Sequence, residues 1–207
     1  MRPPRPISEG WALLAPLGLA ALVLRRRRRA RLGVLAAAAA VAAALRDPER
    51  PRPTGDEALA PADGRVVRVG TVHDECVEGP MLEIAIFLAL WHVHVQRAPL
   101  AGRVVGVERF EGTFGNALFA GSEQNHRQSI YLETDWGPCS VTQVAGMFAR
   151  RIVRWVEAGQ AVAAGQRLGM IKFGSRVVLR LPAGSEPLVR VGQEIRAGVT
   201  PVARRPR

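Results

Sequence analysis

Two hydrophobic patterns divide the chain. Residues 11–24 (WALLAPLGLAALVL) and 33–45 (GVLAAAAAVAAAL) are apolar throughout, with no polar positions to mark an outer face. As helices rising about 1.5 Å per residue, each run reaches about 20 Å, short of the roughly 30 Å hydrocarbon core of a bilayer. Between them RRRRRAR, residues 25–31, places six Arg in seven positions. Short apolar helices joined by a cationic block suit an anionic membrane surface, as a shallow helical hairpin or an in-plane anchor. Arg25 to Arg29 and Arg31 would then meet headgroups at the cytoplasmic face of the cell membrane. The charge follows the first apolar run instead of preceding it, which is not the order of a secretory leader. Two buried core helices, or a thin transmembrane hairpin, are the other readings of this pattern.

Residues 47–57 (DPERPRPTGDE) are rich in proline, so helix cannot continue there. The pattern predicts an anchoring segment at 1–46, a linker at 47–58 and a folded domain at 59–207. From Leu59 onward the apolar runs are short, β-branched and interrupted by Gly, Pro and Asp: GRVVRVGTV, MLEIAIFLAL, HVHVQRAP, GRVVGVERF, SIYLETDWG, CSVTQVAG, RRIVRWVEAG and RVVLRLP. Such runs predict strands and a mostly β domain. Residues 59–70 (LAPADGRVVRVG) and 156–174 (VEAGQAVAAGQRLGMIKFG) echo each other, followed again by 189–200 (VRVGQEIRAGVT). The VxxGQxVxxGQxLG phrase resembles the sandwiched β-hairpin or barrel of biotinyl and lipoyl carrier domains, whose Gly-rich turns let short strands wrap over one another. That resemblance makes Lys172 a possible attachment point.

Charge and composition remove some function classes. The 207-residue chain carries +11, but 28 of its 29 basic residues are Arg and Ala is abundant, a bias that lessens the meaning of the net charge. Aromatic residues are 5% of the chain, too few for a base-stacking platform, so no nucleic acid is expected as partner. Cys76 and Cys139 stand in neither disulfide-scaffold nor zinc-site spacing. His92 and His94 would share one face of a strand, which raises a zinc peptidase built on an HxH pair. His73 and His126 offer no third ligand in a recognised spacing, so no metal site is assigned.

Residues 169–182, GMIKFGSRVVLRLP, place Gly174-Ser175 between two apolar runs. Read alone, that dipeptide is a loop. Five blocks change its meaning: RDPER (46–50), PADG (61–64), HVHVQRAP (92–99), GSEQNHRQSIYLET (121–134) with VTQVAGMFARRIV (141–153), and GQRLGMIKFGSRVVLRLP (165–182). In this order they resemble the short bacterial and archaeal type of phosphatidylserine decarboxylase, a pyruvoyl-dependent family, over most of residues 46–200.

The resemblance implies that Gly174-Ser175 is a self-cleavage bond. A serine hydroxyl can attack the preceding carbonyl when a base takes its proton, and glycine leaves that carbonyl unshielded. The family's pattern assigns the base to His94 and its orienting carboxylate to Asp63, giving a set Asp63, His94, Ser175. Cleavage would yield chains 1–174 and 175–207 that remain together as a heterodimer, with a pyruvoyl cofactor derived from Ser175. That group would form a Schiff base with phosphatidylserine and draw off electrons as carbon dioxide leaves, giving phosphatidylethanolamine. His94 would then donate the proton. The family's SEENER-like block reads SEQNHR at 122–127, with Gln124 and His126 in place of two acidic residues. The non-enzymatic alternative is a membrane-tethered β module that holds lipid or nucleic acid and keeps its chain intact.

Overall fold

The computed structural model describes residues 5–6, 8–51, 55–74, 77–113, 115, 124–146, 151–171 and 175–205. They fall into two compact units, Met1–Glu49 with Leu90–Val93, and Arg50–Ala89 with His94–Arg207.

In the first unit, strand β1 (Arg5–Pro6) precedes helix α1 (Ser8–Val23), a 3₁₀ turn (Leu24–Arg26) and helix α2 (Arg28–Ala44). Strand β2 (Arg46–Asp47) pairs antiparallel with β1. The basic block is the joint between the helices: Arg25 and Arg26 form the tight turn, Arg27 leaves helical geometry at φ −104° and ψ 78°, and Arg28 opens α2. The helices pack on each other. In α2, positions 34, 38 and 41–43 are half-buried and Ala44 is buried, while the other positions are exposed. Because both runs are apolar all round, the uncovered faces are apolar too: Leu19, Leu22 and Val23 are 63%, 64% and 74% exposed, and Leu32 and Leu35 are also open. At 16 and 17 residues, neither helix is long and apolar enough to cross a membrane.

The second unit is mostly β, as the short β-branched runs predict. Its strands are β3 (Ala58–Leu59), β4 (Gly64–Asp74), β5 (Val77–Leu88), β6 (Val95–Arg97), β7 (Gly102–Phe110), β8 (Arg127–Thr134) and β9 (Gly137–Ala145). There follow β10 (Ile152–Arg154), β11 (Ala161–Val162), β12 (Arg167–Ile171), β13 (Ser175–Pro182), β14 (Glu186–Pro187), β15 (Glu194–Ile195) and β16 (Pro201–Arg204). An eight-stranded antiparallel sheet in the order β11-β7-β8-β9-β13-β5-β4-β15 curls into a half-barrel. Two three-stranded sheets, β10-β12-β6 and β14-β16-β3, accompany it.

Strand β13 is central, paired with β5 on one side and β9 on the other. Its side chains alternate buried and half-buried with period two, so Ser175, Val177, Leu179 and Leu181 share the core face. Ile84, Ile86, Leu88, Ile130, Leu132 and Val141 fill the same core. Glu83, the one charge in MLEIAIFL, is buried between Arg68 and Arg180 at 3.3 and 3.0 Å.

In two of the three echoing segments, 156–174 and 189–200, the echo is a repeated turn. In EAGQ (157–160), AAGQ (163–166) and RVGQ (190–193) the first residue's carbonyl accepts the Gln N–H, while the Gln side-chain oxygen accepts the first residue's N–H. The glycines take φ of +87°, +75° and +92°, a region costly for any side chain.

One predicted strand is shorter than its pattern suggests. HVHVQRAP is extended only from Val95, because residues 90–93 turn and pack with the first unit, where Arg46 donates to the Trp91 carbonyl at 3.3 Å. His92 and His94 thus lack the common strand on which their shared face depended.

Candidate active site

Ser175 heads β13, opposite Leu88 of β5 and Ala145 of β9. Both neighbours are fully buried, and so is the serine. Its hydroxyl points to the core face by strand alternation, where the sheet has no backbone groups to offer it. Among the described residues, two buried side-chain polar atoms lack a hydrogen-bond partner: Ser175 Oγ and His94 Nε2. His94 is engaged elsewhere on the residue. An unmet buried hydroxyl costs about 1–3 kcal/mol, which singles Ser175 out as a candidate for chemistry.

His94 precedes β6 and is fully buried. Its carbonyl accepts from the Ile171 N–H at 3.2 Å and the Gln96 side chain at 2.9 Å. Ile171 ends β12, four positions before Ser175, so this bond ties the histidine to the segment leading into the serine. Gly174, Phe173 and Lys172, and with them the proposed scissile carbonyl and the candidate attachment lysine, lie outside the described residues.

Asp63 lies in the PADG turn before β4. That turn is stitched to the histidine's strand, the Pro61 carbonyl accepting the Arg97 N–H at 2.8 Å. The Asp63 carboxylate accepts from Arg50 Nη2 at 2.8 and 3.0 Å and from the Ala197 N–H at 2.8 Å. Among the described residues those are its partners, and His94 is not one of them. The fold thus brings the segments of Asp63, His94 and Ser175 together while meeting the carboxylate with a guanidinium.

Two further polar residues at this site were not singled out from sequence. Arg50 closes the RDPER block. Asn125, buried within SEQNHR, donates to the Ala145 carbonyl at 2.8 Å and the Gly115 carbonyl at 2.9 Å, and its oxygen accepts the Gly115 N–H at 2.9 Å. It joins Gly115 to Ala145, Ser175's own strand neighbour. The available signal was position: each lies inside a matched block and is polar where the fold buries it.

The remaining candidates for chemistry are set apart. His92 is half-buried and packs edge-on to Trp91, ring centroids 5.8 Å apart. His73 is exposed and His126 half-buried. Among the described residues no group of three His, Cys, Asp or Glu could hold a metal ion. Cys139 is buried and its thiol pKa is pushed up to about 12 by loss of solvation, so it is not a nucleophile at neutral pH. Cys76 lies outside the described residues.

Fold and site together define a β protein that withdraws a serine hydroxyl and an imidazole from water at the head of a central strand. Comparison with known proteins supplies the family: a family model described as phosphatidylserine decarboxylase matches residues 37–203. Proteins named phosphatidylserine decarboxylase proenzyme from Paraburkholderia xenovorans and Paraburkholderia phymatum are each 40% identical over 210 residues, covering 98% of this chain and 99% of the relative. One of the same name from Burkholderia mallei is 39% identical over 213 residues, covering 100% of this chain and 99% of the relative. The chain belongs to the phosphatidylserine decarboxylase family.

Proposed function

We propose that this chain is a proenzyme that cleaves itself between Gly174 and Ser175 and then decarboxylates phosphatidylserine to phosphatidylethanolamine. The observation that carries the reading is the buried hydroxyl of Ser175 at the head of β13, without a hydrogen-bond partner among the described residues, in a chain whose relatives are named proenzymes. Attack of Ser175 Oγ on the Gly174 carbonyl carbon exchanges the amide for an ester and frees the Ser175 amine. Loss of the Ser175 α-proton expels the Gly174 carboxylate, and water converts the resulting enamine to a ketone with release of ammonia. No outside oxidant or reductant is needed.

His94 takes the hydroxyl proton, and Asp63 is the carboxylate of the set. A pyruvoyl group at position 175 supplies an electron-withdrawing carbonyl that holds the substrate amine and accepts the electrons left as carbon dioxide departs. The site fits it: position 175 is buried at a strand's first residue, so cleavage leaves the new terminus inside the core with its pairing partners Leu88 and Ala145 in place. His94 then returns a proton to the substrate carbon, and the dry surroundings keep competing water away.

Residues 1–46 anchor the protein to an anionic membrane surface at the cytoplasmic face of the cell membrane, 47–58 form the linker and 59–207 the catalytic domain. The exposed apolar faces of α1 and α2 and the Arg block at their joint support this reading. The repeated GQ turns support kinship of the catalytic domain with sandwiched-hairpin folds. The two cleaved chains stay together because β13 is paired on both sides with strands of the larger chain.

The test is intact-mass analysis of the purified protein. Two chains are expected, 1–174 and 175–207, the smaller beginning with pyruvoyl and reacting with hydroxylamine. Ser175→Ala should remain one inactive chain. An uncut wild-type chain that still decarboxylates phosphatidylserine overturns the reading, and an uncut chain that only binds vesicles favours the non-enzymatic module.

A further inference from the structure

A line of buried primary amides runs through the core to the His94 carbonyl. Arg109 Nη2 donates to Gln128 Oε1 at 3.2 Å, Gln128 Nε2 to Gln143 Oε1 at 3.0 Å, Gln143 Nε2 to Gln96 Oε1 at 2.8 Å, and Gln96 Nε2 to the His94 carbonyl at 2.9 Å. All three glutamines are buried, on strands whose neighbouring core positions are Ile130, Val141 and Val177. Burying amides there is less favourable than filling the space with apolar side chains, unless the line does something that packing cannot.

Its polarity is set from one end. Arg109 has no acceptor, so Gln128 must turn its oxygen to the guanidinium and its nitrogen inward, and each later amide follows suit. The last donor can then only be an N–H aimed at a carbonyl, and the carbonyl it meets is that of His94. The line also crosses between sheets: Gln128 and Gln143 belong to β8 and β9 of the large sheet, Gln96 to β6 of a small one. His94 adjoins β6, whereas Ser175 pairs with Ala145 of β9, two positions from Gln143 on the same face. Gly169, opposite Gln96 on β12, leaves the passage open, since a Cβ there would lie 3.1 Å from Gln143 Nε2 and 2.3 Å from the Val153 carbonyl oxygen.

We propose that Gln96, Gln143 and Gln128, oriented by Arg109, are positioning residues that fix His94 relative to Ser175 for self-cleavage. The proposal rests on the self-cleavage reading above. The line acts on the backbone of the base, from the strand beside the nucleophile, and so sets the separation of the two groups independently of the Ile171 bond.

The experiment follows cleavage of the full-length chain after cell-free synthesis, as the fraction cut against time at pH 6 and pH 8. Gln143→Glu is the informative variant. An ionised carboxylate cannot donate to Gln96, whereas the protonated acid can, and burial favours the protonated form. Cleavage should be at least tenfold slower than wild type at pH 8 and recover towards the wild-type rate at pH 6. The wild-type rates at the two pH values are the reference for this comparison. A merely space-filling Gln143 predicts parallel profiles, and parallel profiles overturn the proposal. If Gln143→Glu does not fold, Arg109→Met, at the exposed end of the line, decides: cleavage slowed twofold to fivefold supports the proposal and an unchanged rate overturns it. A wild-type chain that never cuts itself strikes the self-cleavage reading instead, and the proposal falls with it.

Discussion

Arg50 and Asp63 form an ion pair in which one guanidinium nitrogen, Nη2, donates to both carboxylate oxygens, and each side chain is only 11% exposed. Removing one partner of such a pair leaves a charge in poorly solvated surroundings. Arg50→Ala should therefore lower stability by about 3 kcal/mol, the scale for breaking a buried pair. Adding Asp63→Asn should recover part of that loss, because the stranded charge goes with it. Urea unfolding of the four chains of this cycle, in a Ser175→Ala background that keeps the protein in one piece, measures the coupling directly. Additive losses would mean that the pair contributes nothing beyond its separate members.

Two histidines two positions apart should behave differently. His94→Ala should slow self-cleavage by about 10²- to 10⁴-fold, the usual contribution of a positioned base. His92→Ala should cut at close to the wild-type rate, since that ring packs edge-on to Trp91 outside the buried set. Time courses on denaturing gels report both. Dependence on His92 with indifference to His94 would show that the wrong imidazole has been assigned.

Cys139 supplies a pH test of the fold. Burial raises its thiol pKa from 9.0 to about 12, so between those values the unfolded chain loses a proton that the folded chain keeps. A group with a raised folded pKa contributes stability that is fully present below the unfolded value and is lost as pH climbs towards the folded one. Thermal unfolding followed from pH 8 to 11 should show a steeper alkaline decline for wild type than for Cys139→Ala, whatever the two stabilities at pH 8. In the native protein at pH 8 the Cys139 peptide should also escape iodoacetamide and become labelled only on denaturation.

Membrane attachment should have separable charged and apolar parts. Changing Arg25 to Arg29 to Gln in the full chain should weaken binding to anionic vesicles by about 1 kcal/mol per charge lying near the surface, and added salt should reproduce part of the loss. Leu22→Ser with Val23→Ser removes exposed apolar side chains without touching the charge, and should weaken binding to neutral and anionic vesicles alike. Trp91, 70% exposed and grouped with the helical unit, should respond similarly when changed to Ala. Sedimentation with vesicles of each composition distinguishes the two parts. Unaltered binding in all three variants would remove the anchoring role from this segment.

Much of the second unit was legible from local pattern. Short β-branched runs bounded by Gly and Pro became strands, and the repeated GQ phrase became a repeated turn, because strand alternation and left-handed glycine angles are local preferences written over a few residues. The two apolar runs became helices for the same reason. Asp63, His94 and Ser175 could be named from ordered motifs. Tertiary structure alone decided where they stand: the hydroxyl faces inward because Ser175 shares β13's buried parity with Val177, and the carboxylate meets Arg50, thirteen residues away and in another motif. The histidine pair lost its common strand because residues 90–93 pack with a different unit, which no window around them records. The amide line was equally unreadable, since Arg109, Gln128, Gln143 and Gln96 become neighbours only through the pairing of β7, β8 and β9 and the approach of β6. Side-chain hydrogen bonds depend on which strands lie side by side, and antiparallel pairing joins residues whose separation along the chain carries no trace of their contact.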